Sequence, residues 1–226
     1  MSIWEISPWK LFLSGGPVMF PILLCSILAV GIVIEKLWYF FIISTNTQKL
    51  KTDIFNCLKN HRIKEAVELC EANPSPVAKI LKAGILKFGS SRDEIKEAME
   101  DVSLFEIPHL EKRLSALATI ANVSPLLGLL GTVTGMSGSF HTIQVRATAN
   151  NPVTPGDIAG GIWEALITTV AGLIVAIPTF VAYNYCVGRV NAIVLEMERA
   201  ATELVNFLSQ LLESKTAKKT EYPIEI

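Results

Sequence analysis

The sequence predicts an all-α integral membrane protein: three transmembrane helices, two of them extended into a cytoplasmic helical bundle. Three observations lead there. Half of the 226 residues are hydrophobic, only 18% are charged, and mean hydropathy is +0.43; a soluble domain is usually about 25% charged. Three runs carry the excess: Val18–Ile34, with 17 uncharged residues continued by Leu37–Ile43; Leu114–Phe140, with 27 uncharged residues; and Ile158–Gly188, with 31 residues and one charge, Glu164. Each is long enough, since a spanning helix needs about 20 predominantly apolar residues. The third observation is the lopsided placement of lysine and arginine. Met1–Pro17 and His141–Asp157 hold only Lys10 and Arg146, whereas Ser44–Arg113 holds twelve basic residues and Gly188–Ile226 five. Lys36, Lys112, Arg113 and Arg189 flank the spans on the richer side. The positive-inside rule then puts the N-terminus outside and the C-terminus inside.

The elements follow in order. Residues 1–17 form an outer N-terminus. Residues 18–43 form the first span, retained because bulky Leu37–Phe41 follows it where a signal peptide would carry a small-residue cleavage site. Trp4, Trp9 and Trp163 suit the outer interface, and Trp38, Tyr39, Tyr183 and Tyr185 the inner one. Residues 44–113 read as cytoplasmic helices: His61–Glu71 and Val77–Phe88 have apolar residues at three-to-four spacing around the break Asn73-Pro74-Ser75-Pro76. Ser91–Arg113 is a charged helix, bent at Pro108 and running directly into the second span, residues 114–140. An outer loop occupies 141–157, and the third span 158–188. Residues 189–226 continue as a helix with Val194, Met197, Ala201, Leu204, Val205 and Leu208 on one side, ending in a polar, disordered tail from Lys215.

The chemistry lies in the second and third spans. With Gly128 placed at zero degrees on a helix, Ser124, Gly131, Thr132, Gly135, Gly138 and Ser139 fall within about 80° of it. Small residues let helix backbones approach closely, so Gly128, Gly131 and Gly135, with Gly161 and Gly172 on the third span, read as packing positions. In the third span Asp157 is placed to cap the N-terminus. Glu164 is an ionisable residue inside a span, and such residues usually face a bundle interior or a pore. Burial disfavours the charged carboxylate, so Glu164 is a candidate proton site, with threonine hydroxyls along the path. His141 is a weaker proton acceptor, His61 and His109 belong to solvated faces, and Glu35-Lys36 reads as an interfacial anchor.

Other functions find little support. The net charge of −1 gives nucleic acid no purchase. Cys25, Cys57, Cys70 and Cys186 lack metal-ligand spacing and read as free thiols. There is no G-x-S-x-G, HExxH or phosphate loop, so neither an enzyme nor a cofactor is expected. Three spans with one acid are too few to enclose a solute path alone, which requires an oligomer or a partner.

Ser124–Met136, reading SPLLGLLGTVTGM, resembles the second-span signature of the ExbB/TolQ/MotA proton-channel family. Gly161–Leu173, reading GIWEALITTVAGL, resembles the third-span signature, continued by Ala176-Ile177-Pro178 and Tyr183-Asn184. Gly15–Ile22 and Ile34–Leu37 match the first span of ExbB-like members, so the chain looks most like ExbB. The resemblance implies a homopentamer in the bacterial inner membrane, surrounding helices of a single-span ExbD/TolR-like partner whose aspartate carries the proton. The work is delivered to a TonB/TolA-like transducer. It also implies pore-lining roles for Thr132, Glu164 and Thr169. Thr169 lies about 140° from Glu164 on an ideal helix, whereas Thr168 lies about 40° away, so single-face geometry selects Thr168 and the family match Thr169. A TolQ-like motor of envelope constriction and a non-conducting scaffold are the alternatives. If the second and third spans line a central path, with the first facing lipid, cysteines at Gly131 or Ala171 should cross-link between subunits.

Overall fold

The structure, a computed structural model, describes residues 8–44, 47–149 and 152–220. Among them lie eight helices and no strand: α1 (Pro8–Ser14), α2 (Met19–Ser44), α3 (Thr47–Lys59), α4 (Ile63–Glu71), α5 (Pro76–Leu86), α6 (Arg92–Glu111), α7 (Leu114–Thr148) and α8 (Pro155–Thr220). Three stretches, within Met19–Lys59, Arg92–Thr148 and Pro155–Leu211, are long and apolar enough to cross a membrane. The chain is an all-α membrane protein. Trp4 and the tail from Glu221 lie outside the described residues.

The chain divides into two compact units, Met1–Lys36 with Arg113–Cys186, and Leu37–Lys112 with Val187–Ile226. In the first, Val18, just before α2, and Met19 and Ile22 of α2 bury against Ile167 of α8, with Phe12, Leu127, Ala171 and Val175 packed around them. A second cluster joins Ala29 of α2 to Leu117 and Ile120 of α7. Outside these contacts the helices expose apolar side chains freely, among them Phe20, Ile27, Leu126, Val133, Ile174 and Val181. Such a surface suits hydrocarbon rather than water. The first span has the least of its apolar surface covered.

In the second unit, α3, α4, α5 and α6 pack in succession. Ser75 caps α5 by accepting from the Ala78 N–H at 3.2 Å, with Pro76 preset for the first turn. Ser91 caps α6 from Glu94 at 3.3 Å. A methyl on Gly84 of α5 would stand 2.6 Å from Met99 Sδ and 2.8 Å from Leu204 Cδ2, so the bare backbone seats α6 and α8 there. The buried stripe of α8 is Val190, Ile193, Met197, Ala200, Leu204 and Leu208, with Val205 beside it. Val194 and Ala201, expected in that stripe, lie at its edge and are half-buried. Cys70 is buried here, which pushes its thiol up to about 12. Cys186 is also buried, while Cys25 and Cys57 are half-buried free thiols.

Four expectations need correction. The charged helix does not run directly into the second span: α6 ends at Glu111, and Arg113, in the left-handed region at φ 66°, breaks the chain just before α7. Pro108 removes a backbone hydrogen bond just upstream and weakens that last turn, and the Arg113 guanidinium pairs with the Glu35 carboxylate of α2. Residues 141–157 are not loop throughout: α7 continues to Thr148, with no proline or glycine after Gly138. Asp157 is not the cap of α8. Pro155 takes the first helical position, so Thr154 caps, and Asp157 reaches back to it from the third. Finally, α8 continues past Lys215 to Thr220. Pro8–Ser14 also forms a helix, α1, that no sequence pattern announces.

Candidate functional site

The face of α7 that meets α8 is built from residues with almost no side chain. Ser124, Gly128, Gly131, Gly135 and Ser139 are all buried. A methyl on Gly128 would stand 3.0 Å from the Thr169 Cα, on Gly135 2.7 Å from the Gly161 carbonyl oxygen, and on Gly172 2.6 Å from the Ser124 carbonyl oxygen. The two backbones are therefore in contact along four turns, as small-residue stripes permit. Polar bonds stitch the same seam. The Thr169 hydroxyl lies 3.3 Å from the Gly128 carbonyl across the helices and 3.2 Å from that of Ala165 on its own, and Ser139 donates to Ile158 at 3.2 Å.

The hydroxyl candidates separate. Thr168 is fully buried, its side chain seated on Gly131 and its hydroxyl donating to Ala165 at 2.9 Å and Glu164 at 3.2 Å. It is enclosed within one chain, which removes the single-face argument for it. Thr132 is half-buried and donates to Leu129 at 2.6 Å, and Thr169 is half-buried as well. Gly131 is likewise inside the chain, so a cysteine there would disrupt α7 against α8 rather than report a neighbouring subunit. Gly138, by contrast, is exposed with nothing near it.

Glu164 is half-buried on α8. Its carboxylate lies over Gly16, in the turn between α1 and α2, and a methyl on that glycine would overlap Oε1 and stand 2.8 Å from Cδ. In the sequence, Gly16 stands out only as part of the Gly15–Ile22 motif. His141 is exposed on α7 and His61 is exposed at the end of α3; His109 meets the edge of Tyr39 at 6.2 Å.

Where α7 ends and α8 begins, the Thr154 hydroxyl and backbone N–H donate to Asp157 at 2.7 and 2.9 Å, and Arg146 stands 2.8 Å from the same carboxylate. Those hydrogen bonds, with Arg146 adding its charge, hold the Asp157 carboxyl below the usual range. A folded-state pKa below the unfolded value means the stabilisation is complete above about pH 4 and fades as pH falls through the lowered pKa. Protection of the Thr154 amide against hydrogen exchange, corrected for its intrinsic rate, should therefore be high at neutral pH and fall under strong acid. Asp157→Asn should lower that protection at neutral pH, with the acid dependence lost.

Residues 72–199, more than half of the chain, match the MotA/TolQ/ExbB proton channel family. The chain belongs to this family. It is 33% identical over 172 residues to the ExbB-like 3 biopolymer transport protein of Synechocystis, covering 76% of this chain and 81% of that one. It is 28% identical over 227 residues to the ExbB biopolymer transport protein of Salmonella typhimurium, covering 92% and 89%. The Tol-Pal system protein TolQ of Haemophilus influenzae is 40% identical over 130 residues, 58% of this chain and 50% of TolQ. A proton-channel family is a transport class rather than an enzymatic one, and in this member the seam glycines, Thr132, Glu164 and Thr169 all fall inside the matched region.

Proposed function

We propose that the chain is an ExbB-like subunit of a proton-channel ring that works with an ExbD-like single-span partner to energise TonB-dependent transport across the outer membrane. The observation that carries this is the half-buried Glu164, the only charge in residues 158–188, on a helix welded to α7 by glycines in a proton-channel chain. Backbone contact between α7 and α8 leaves no route between them, so a path must lie on their outer sides, between copies or around a partner. Thr132 and Thr169, half-buried, are the hydroxyls available to such a path. The ring sits in the bacterial inner membrane with the N-terminus outside. Each elementary charge crossing 100 mV releases about 2.3 kcal/mol, so mechanical work draws on several protons or on an added pH gradient.

A TolQ-like motor of envelope constriction is the second reading, favoured by the 40% identity to TolQ over 130 residues. Both readings require an oligomer. Single cysteines at Thr132 or Gly138 should give cross-linked dimers, an amine-reactive cross-linker should give a ladder up to a pentamer, and the chain should co-purify with a small single-span protein. A monomer in both mild detergent and membranes would overturn the ring.

A further inference from the structure

We infer that Gly16 is the residue that positions the Glu164 carboxylate, which makes the turn between α1 and α2 part of the proton site. The inference rests on the reading of Glu164 as a proton-path group. Two independent features meet at this glycine. Its backbone is left-handed at φ +66°, where side chains with a Cβ are strained. Its open side also faces the acid: a methyl there would overlap Oε1, stand 2.8 Å from Cδ and touch Cγ at 3.5 Å. A turn that needed only the positive φ would accept asparagine, which tolerates that region. With any Cβ present, the Glu164 carboxylate must leave the position it holds.

The turn is fastened on both sides of the contact. Met19 N–H donates to the Gly16 carbonyl at 3.2 Å and Phe20 N–H to that of Pro17 at 3.3 Å, which locks the entry to α2. Gly15 is buried, and a methyl on it would lie 3.3 Å from Ile167 Cγ2, one turn along α8 from Glu164. The turn therefore rests on α8 at two successive positions and holds the glutamate side chain, otherwise free about three torsions, against backbone. A misplacement of about 1 Å at a reacting group can cost about a hundredfold in rate, so a single methyl at Gly16 is enough to matter.

The test is the rate of carbodiimide modification of Glu164 at one fixed pH, followed by peptide mass in the full chain in membrane vesicles. The reagent forms its adduct on this carboxyl, so the rate reports the group's placement and needs no partner. Gly16→Ala and Gly16→Asn should each change that rate severalfold. Both should also lower proton-driven uptake about tenfold. In the Gly16→Ala background, Glu164→Asp, which withdraws the carboxyl by one methylene, should recover uptake. A wild-type modification rate in Gly16→Asn would reduce the requirement to backbone φ and overturn the positioning role, as would failure of Glu164→Asp to rescue. If Gly16→Ala does not accumulate in the membrane, Glu164→Ala should restore its accumulation; no restoration would overturn the inference. Failure of the underlying reading looks different: Glu164→Ala alone would then support normal uptake.

Discussion

Glu164→Ala is expected to abolish proton-driven uptake while leaving the chain inserted and assembled. The side chain touches its own chain through Gly16 and is half-buried, so truncation removes the only charge in residues 158–188 without opening the α7–α8 seam. Glu164→Gln separates two chemistries. Complete loss marks a carboxyl that exchanges a proton in each cycle, and partial retention marks one that serves as a hydrogen-bonding group. Thr132→Ala and Thr169→Ala should reduce uptake less, because a water can replace a hydroxyl. The Thr169 bond to Gly128 is long at 3.3 Å, and interhelical bonds of this kind average about 0.6 kcal/mol in membranes. Uptake in cells carrying the partner, with chain levels measured alongside, reads all four variants. Normal uptake in Glu164→Ala would make the glutamate a packing residue.

Gly172→Leu is expected to produce the largest loss of stability. A methyl there already stands 2.6 Å from the Ser124 carbonyl oxygen and 3.2 Å from the Gly128 Cα. Both are backbone atoms of α7, so relief requires the helices to separate. Overpacking typically costs about 1–3 kcal/mol, and here separation would also break the neighbouring contacts at Gly128, Gly135 and Gly161. Gly31→Leu, on α2 with nothing within 4 Å, is the matched control and should leave stability nearly unchanged. Denaturant unfolding of the detergent-solubilised chain measures both. Equal stability of the two variants would contradict the seam.

The long-range architecture was legible because it is set by patterns that need no partner. Uninterrupted apolar length marks the spans, and Ser75-Pro76 and Ser91 announce α5 and α6 through their caps. The glycine stripe was equally visible, since a lipid-facing glycine has no packing use. What it touches was not. Ideal-helix geometry selects Thr168 as the neighbour of Glu164, but the bare surface of Gly131 makes a seat that draws Thr168 inward and leaves Thr169 half-open. Asp157 looked like a cap because it is acidic and near the start of α8, yet Pro155 shifts the first turn and hands that role to Thr154. Gly16 was beyond reach for a simpler reason. Its role depends on a positive φ and on a side chain far along the sequence, and neither leaves a local signature.

Proton flux through the purified chain and its single-span partner in liposomes, driven by an imposed potential and read with an internal pH dye, tests the central claim most directly. The account predicts potential-driven acidification with the wild-type complex and none above leak with Glu164→Ala assembled to the same extent. Equal flux from the two complexes would contradict it.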